Sequence, residues 1–331
     1  MDIWWFYKKK LYWVKIVRDI WQQKLLYNEI KIKEVINLNI NWYPGHMAKT
    51  KRQIQEDLKL IDVVVELLDS RIPISSRNPD INTLVQGKKK IIVLNKSDLA
   101  NEKETIKWME YFKTQKIPVV ITDANSGKGI KEVIKQAELI MKDELDKREE
   151  KGRTGRKIRI MILGIPNVGK SSFINRLANK NSLEVGNKPG VTRKKQWIKI
   201  SNSIELLDTP GVLWPKFESD EVALNLAYTG TIKDDVLEKT DVAFYFLKYM
   251  LENEIDKLVS RYNLNKQEIL NVLENQTRPE NEIIYDIMLK IGKSRGAVVS
   301  GGNVDDVKTA NIILEDFRSG KLGRITLEKV K

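Results

Sequence analysis

The chain has 331 residues, 41% of them hydrophobic, which is enough for two domains with real cores. It has no cysteine and a single histidine, so disulfides, thiolate metal sites and histidine-cluster metal sites are excluded, and a reducing cytoplasm is the compartment that fits. The formal charge of +13 favours polyanionic partners, nucleic acid before anionic membrane, against the plainer alternative of a lysine-rich solvated surface.

Residues 1 to about 40 are atypical. Trp4-Trp-Phe-Tyr7 leads into Lys8-Lys-Lys10 and then Leu11, Tyr12, Trp13, Val17 and Trp21. The stretch is too short for a secretory signal, and no run in the chain reaches membrane-spanning length, so no integral membrane segment is expected. Three readings compete for this extension: an interaction tail lying on RNA or a membrane, a disordered leader, or sequence translated from upstream of the true start. The last two are favoured, because Asn41-Trp-Tyr-Pro-Gly-His-Met47 looks like a natural beginning.

From there strands and helices alternate. Apolar Ile54, Leu58 and Ile61 predict an amphipathic helix over 48–60, and Asp62–Leu68 reads as a strand ending in Asp69-Ser-Arg-Ile-Pro73. A weak helix is expected near Leu84, strands at Lys90–Leu94 and Pro118–Ile121, and helices at Glu102–Lys113 and Ile130–Leu145. Residues 147–157 read as a polar linker. Strands follow at Ile158–Leu163, Trp197–Ile200 and Ile204–Leu207, with a helix at Ser172–Leu177. The alternation implies an α/β domain with a mostly parallel sheet covered on both faces. From about Trp214 only helices are expected: Val222–Tyr228, Val236–Glu252, Ile255–Tyr262, Lys266–Leu273, Glu280–Ile291 and Val304–Phe317, the last with Val307, Ala310, Leu314 and Phe317 on one face. The expected division is an extension over 1–40, an α/β domain over 41–214 and an all-α domain over 215–331.

Gly164-Ile-Pro-Asn-Val-Gly-Lys-Ser171 fits the phosphate-binding pattern G-x-x-x-x-G-K-[ST] at every fixed position, between a strand and a helix. Gly164, Asn167, Val168 and Gly169 form the loop, and Lys170, Ser171 and Ser172 open the helix whose N-terminus favours an anion. Lys170 would bridge the β- and γ-phosphates, and Ser171 would hold Mg²⁺ through its hydroxyl. The alternative is a chance glycine-rich turn.

Asn95-Lys-Ser-Asp98, at a strand end, fits the guanine-reading pattern N-K-x-D. The Asp98 carboxylate can accept both the ring N–H and the exocyclic amine of guanine, a pair of donors that adenine lacks. Asn95 and Lys96 support the loop, Ser97 lies within it, and the bland reading is an ordinary turn capped by an Asp. Asp123-Ala124-Asn125 sits where a second guanine-contacting loop would offer a backbone N–H to the base oxygen, a weakly diagnostic signal. Asp208-Thr-Pro-Gly211 places Asp208 near the Mg²⁺ shell and the Gly211 N–H near the γ-phosphate, as a hydrolysis-sensing switch. Thr192, between the phosphate loop and Asp208, is the candidate for the other Mg²⁺-reaching switch residue.

The base-reading elements precede the phosphate loop, whereas in ordinary GTPases they follow it. The domain is therefore expected to be a circularly permuted P-loop GTPase, which is permissible because the site is assembled in space from strand ends. Here the chain resembles the circularly permuted GTPases of large-subunit ribosome assembly. The residues that carry the resemblance are Asn41–Lys49, Asp69–Pro79, Asn95–Asp98, Gly164–Ser171, Pro189-Gly-Val-Thr192, Asp208–Gly211, Gly292–Ala297 and Gly301–Asp305, so it covers about 41–331. It implies a cytoplasmic GTPase that binds the immature large ribosomal subunit, is stimulated by it and acts late in its maturation. It also implies a helical domain on ribosomal RNA, with no DNA expected.

Val212 stands where many GTPases have a water-orienting Gln, which predicts slow intrinsic hydrolysis. Similarity to the family makes His46, the sole imidazole, the candidate for positioning the attacking water, against a structural or surface role. In similar GTPases the residue at Asn167 helps coordinate K⁺, against a loop-shaping role. Basic clusters at Lys49–Arg52, Arg193–Lys195 and Lys290–Arg295, with Arg318, Lys321 and Arg324, would contact phosphates without reading bases. The competing reading is a nucleotide-gated membrane or protein scaffold. An ATPase or nucleotide kinase is opposed by Asp98.

Overall fold

The computed structural model describes residues 52–152, 155–178, 197–207, 219–232, 237–275 and 278–330. The extension, His46, Thr192, Asp208, Gly211, Val212 and the expected boundary near 214 lie outside the described residues.

Among the described residues six strands form one sheet: β1 (Val63–Asp69), β2 (Lys89–Asn95), β3 (Val119–Ile121), β4 (Ile158–Leu163), β5 (Trp197–Lys199) and β6 (Ile204–Leu207). Their spatial order is β3-β2-β1-β4-β6-β5, all parallel except the β5–β6 pair. The helices of this half are α1 (52–58), α2 (Pro79–Leu84), α3 (Glu102–Thr114), α4 (Ile130–Glu150) and α5 (Lys170–Leu177). Alternation along β1 sends Val63, Val65 and Leu67 to the face covered by α4 and α5, through Val133, Ala137, Met141, Phe173 and Leu177. Val64 and Leu68 face the opposite side, where Ile54 and Leu58 of α1, Ile81 of α2, and Trp108 and Phe112 of α3 complete two further apolar clusters. With helices on both faces the strands read as continuous apolar runs. Glu66, buried within β1, is held by Arg77 at 3.1 Å and Lys90 at 3.3 Å.

The helical part contains α6 (Asp220–Tyr228), α7 (Lys239–Asn253), α8 (Ile255–Tyr262), α9 (Lys266–Glu274), α10 (Glu280–Ser294) and α11 (Asp306–Arg318). Phe246 of α7 and Phe317 of α11 stack at its centre, ring centroids 4.7 Å apart. Burying such rings stabilises by about 2 kcal/mol each. Gly292 of α10 lets α11 approach, because a Cβ there would lie 2.5 Å from Val304 Cγ1 and overlap the Thr309 hydroxyl.

Three expectations are adjusted. Helix α4 runs to Glu150, so the polar linker is shorter than 147–157, with Lys147 and Arg148 forming the last turn at the negative end of the helix dipole. Val307 is 56% exposed rather than part of the buried face, whose members are Ala310, Ile313, Leu314 and Phe317. The last residues do not end on the helical part. After α11, residues 319–330 run back across the α/β half, with Ile325, Thr326 and Leu327 buried.

Candidate active site

Because β1, β2, β3 and β4 are parallel, their C-terminal ends gather the loops after Asp69, Asn95, Ile121 and Leu163 along one edge of the sheet. The base-reading loops on β2 and β3 and the phosphate loop on β4 thus become neighbours despite their order in the chain.

The phosphate loop runs from buried Gly164 to the first turn of α5. Asn167 and Gly169 both have left-handed backbone, at φ 58° and 96°. A Cβ on Gly169 would lie 2.5 Å from Asn95 Nδ2, so only glycine fits. The Lys170 ammonium donates to the carbonyls of Gly164 at 3.0 Å and Ile165 at 2.7 Å. Burial lowers its pKa to about 8. A largely desolvated ammonium whose partners among the described residues are neutral carbonyls has the chemistry of a group that awaits an anion. Ser171 and Ser172 stand exposed in the first helical turn, where a phosphate-bound Mg²⁺ would need a hydroxyl ligand.

Asn95 ties three loops together. Its Nδ2 donates to the Val168 carbonyl at 3.0 Å, and its Oδ1 accepts from Thr122 Oγ1 at 3.1 Å and the Ala124 N–H at 3.2 Å. The backbone N–H groups of the loop expected to meet the base oxygen are engaged within the protein: that of Ala124 by Asn95, that of Asn125 by the Asp123 carboxylate and that of Asp123 by the Lys128 carbonyl. Lys96, at φ 58°, donates to the Asn167 carbonyl at 2.6 Å and pairs with Asp69 at 3.1 Å. Ser97 donates its N–H to the Thr122 carbonyl at 3.2 Å. Asp98 Oδ1 is buried with no hydrogen-bond partner among the described residues. Burial pushes the Asp98 carboxyl up, and the nearby Asp123 charge adds to the rise. Burial would raise Asp123 as well, but hydrogen bonds from Ser126 and Asn125 outweigh it and hold its carboxyl below its ordinary value. An unpaired acceptor beside the phosphate loop is what a purine with two adjacent donors would satisfy.

Sequence reasoning left two contributors without a role. Asp69 is fully buried and accepts from Arg71 Nε at 3.0 Å and Nη2 at 2.7 Å. Burial favours its neutral form, but Arg71 and Lys96 outweigh this and hold the carboxyl well below the usual carboxylate range. Arg71 in turn lies over the Phe317 ring, 5.1 Å from its centroid. The Asp-Ser-Arg triplet at a strand end was the signal; its partners were not readable. Arg176 of α5 donates to the carbonyls of Ala124, at 3.3 Å, and Asn125, bracing the second base loop.

Phosphate loop, base loops and strand order together define a circularly permuted P-loop GTPase. Two family models match: the 50S ribosome-binding GTPase over residues 159–286 and the RsgA GTPase over 81–218. Ribosome biogenesis GTPase A of Bacillus cereus is 47% identical over 289 residues, 87% of this chain and 93% of its own length. Its counterpart from Priestia megaterium is 46% identical over 88% of this chain and 97% of its own. The crystal structure of GNP-bound YlqF from T. maritima superimposes with a TM-score of 0.56 at 26% identity, covering 85% of this chain and 98% of that one. The chain belongs to the ribosome biogenesis GTPase A family and hydrolyses GTP.

Proposed function

We propose that this GTPase binds the immature large ribosomal subunit in the cytoplasm and couples GTP hydrolysis to late maturation of that particle. The observation that carries the reading is the near-full-length likeness to ribosome biogenesis GTPase A, together with the buried Asp98 Oδ1 of the base loop, which has no hydrogen-bond partner among the described residues, and the desolvated Lys170 of the phosphate loop. Asp98 takes the N–H and amine of guanine, Asn95, Lys96 and Ser97 hold its loop, and Asp123 and Ala124 frame the other side of the base. Gly164, Asn167, Val168, Gly169, Lys170, Ser171, Ser172 and Gly211 surround the phosphates. Ser171, Thr192 and Asp208 would hold Mg²⁺, which when bound neutralises charge on the phosphate oxygens.

Asn167 donates its Nδ2 to the Gly230 carbonyl at 2.6 Å, leaving Oδ1 as the atom that K⁺ would take. Hydrolysis equally fast in K⁺ and Na⁺ would remove that role. His46 would position the attacking water once the particle has positioned His46 itself. The helical part of residues 215–331 would rest on ribosomal RNA through Lys290, Lys293 and Arg295, contacting phosphates rather than bases. Binding that is insensitive to salt would count against this.

The decisive experiment measures GTP hydrolysis in K⁺ with and without purified large subunits, for the wild type and His46→Ala. Strong stimulation that His46→Ala abolishes, with binding retained, is expected. Stimulation that survives the change drops His46 and keeps the partner. No stimulation and no binding reject the ribosomal reading.

A further inference from the structure

The last described residues form a strap between the two halves of the molecule. Gly320, at φ 78°, passes so close to the base loop that a Cβ would lie 2.7 Å from Leu99 Cδ2. The Ile325 N–H donates to the Leu99 carbonyl at 3.0 Å, and Thr326 Oγ1 accepts from the Asn101 N–H at 3.0 Å. The Leu327 N–H donates to the Arg71 carbonyl at 2.8 Å. Leu99 directly follows Asp98, and Asn101 caps α3 by accepting from the N–H groups of Lys103 and Glu104. The strap therefore holds the main chain on the C-terminal side of the guanine-reading carboxylate.

Glu328 closes it. Its carboxylate accepts from the N–H groups of Ile74 at 2.6 Å and Ser75 at 2.9 Å, from the Ser75 hydroxyl, and from Asn225 Nδ2 at 3.3 Å. Ile74 and Ser75 belong to the loop after β1, and Asn225 to α6, so a single carboxylate joins both halves. Its own carbonyl accepts from Trp108 Nε1 at 2.9 Å. On the outer side, Tyr249 of α7 donates towards the carbonyls of Thr326 at 3.3 Å and Leu327 at 3.4 Å, and Lys257 of α8 donates to that of Arg324 at 2.7 Å. The strap is thus seated by the helical part and bears on the base loop. The positive charge of Arg324 also favours the ionised form of Asp98.

We infer that residues 319–330 are a positioning element of the base site: by fixing Leu99 and Asn101 they set Asp98 against guanine, and Glu328 is the latch that keeps them seated. This deepens the guanine reading above and rests on it. It also gives the helical part a route to nucleotide selectivity that does not pass through the phosphates. Glu328 and Thr326 are positioning residues, since neither reaches a place where nucleotide would bind.

The test uses the full chain and compares GTP with ITP, which lacks the 2-amino group. In Glu328→Gln an amide N–H₂ faces N–H donors, so the latch loosens without changing size. The expected result is a drop of about tenfold in the preference for GTP over ITP, roughly one hydrogen bond at the base, seen in KM with kcat retained. A merely structural role would weaken both nucleotides alike, so an equal loss, or an unchanged preference, overturns the inference. Should Glu328→Gln melt below the assay temperature, Thr326→Val decides instead. It removes the acceptor for Asn101 and leaves the four donors on Glu328 untouched. Asp98→Asn, assayed with GTP and XTP, is the control for the underlying reading. If it still prefers GTP, guanine recognition by Asp98 fails. If it turns to XTP while both strap variants keep the wild-type preference, only the strap inference fails.

Discussion

The two ends of the nucleotide site are built on different principles. The phosphate loop is local: eight consecutive residues supply its turn, its left-handed glycine and its lysine, and the Lys170 ammonium is held in place by two carbonyls of the same loop. The base loop is non-local. Asn95 is fixed by Val168, Thr122 and Ala124, Lys96 by Asn167 and Asp69, and Leu99 and Asn101 by Ile325 and Thr326. A contiguous motif keeps its shape wherever the fold places it. A loop assembled from distant segments reports on whether those segments are in place. The base end is therefore where the returning strap of the second half can act on the first, in addition to the Asn167–Gly230 hydrogen bond at the phosphate loop.

If that contrast is right, changes at the phosphate end should damage chemistry and leave the fold, and changes behind the base loop should damage the fold. Lys170→Ala should show the largest effect, a loss of about a thousandfold in kcat/KM for GTP, on the scale of one preorganised charge-stabilising donor. Its melting midpoint should stay near that of the wild type, because a buried ammonium is removed together with its desolvation penalty. A collapse in stability there would break the comparison.

Asp69→Asn should do the reverse. It leaves Arg71 and Lys96 without their shared carboxylate and should cost about 3 kcal/mol in urea unfolding, the scale for breaking one side of a buried pair. Gly169→Ala tests the seam between the two loops. A side chain at φ 96° that also meets Asn95 should cost about 2 kcal/mol, read by thermal denaturation.

The smallest effect concerns Lys170 protonation. Burial brings its pKa to about 8, below its ordinary 10.5. Between those values the unfolded chain keeps a proton that the folded chain has lost, so stability should rise with pH across that window. A bound triphosphate reverses the shift and restores the charge. GTP binding at pH 9 should therefore take up most of a proton at this group, against only about a tenth of one at pH 7. Calorimetric titration in buffers of different ionisation enthalpy reads the difference, and uptake that is the same at both pH values would remove Lys170 as its source.

Much of this is legible in the sequence. The mostly parallel sheet follows from apolar runs such as Val63–Leu68 and Ile91–Leu94 alternating with amphipathic helices, and the permutation follows from the order of Asn95–Asp98 and Gly164–Ser171. Both rest on short-range patterns, in which side-chain spacing decides which face is buried and glycine decides where backbone can close on a phosphate. The burial of Asp69 against Arg71 and Lys96, the bracing of Ala124 by Arg176, and the return of residues 319–330 to Leu99, Arg71 and Ser75 were decided only by tertiary structure. Each is a polar contact between segments far apart in the chain, and a charged residue or a carbonyl carries no mark in the sequence of the partner it will meet. Glu328 looks like any glutamate near a chain end until the fold sets four donors around it.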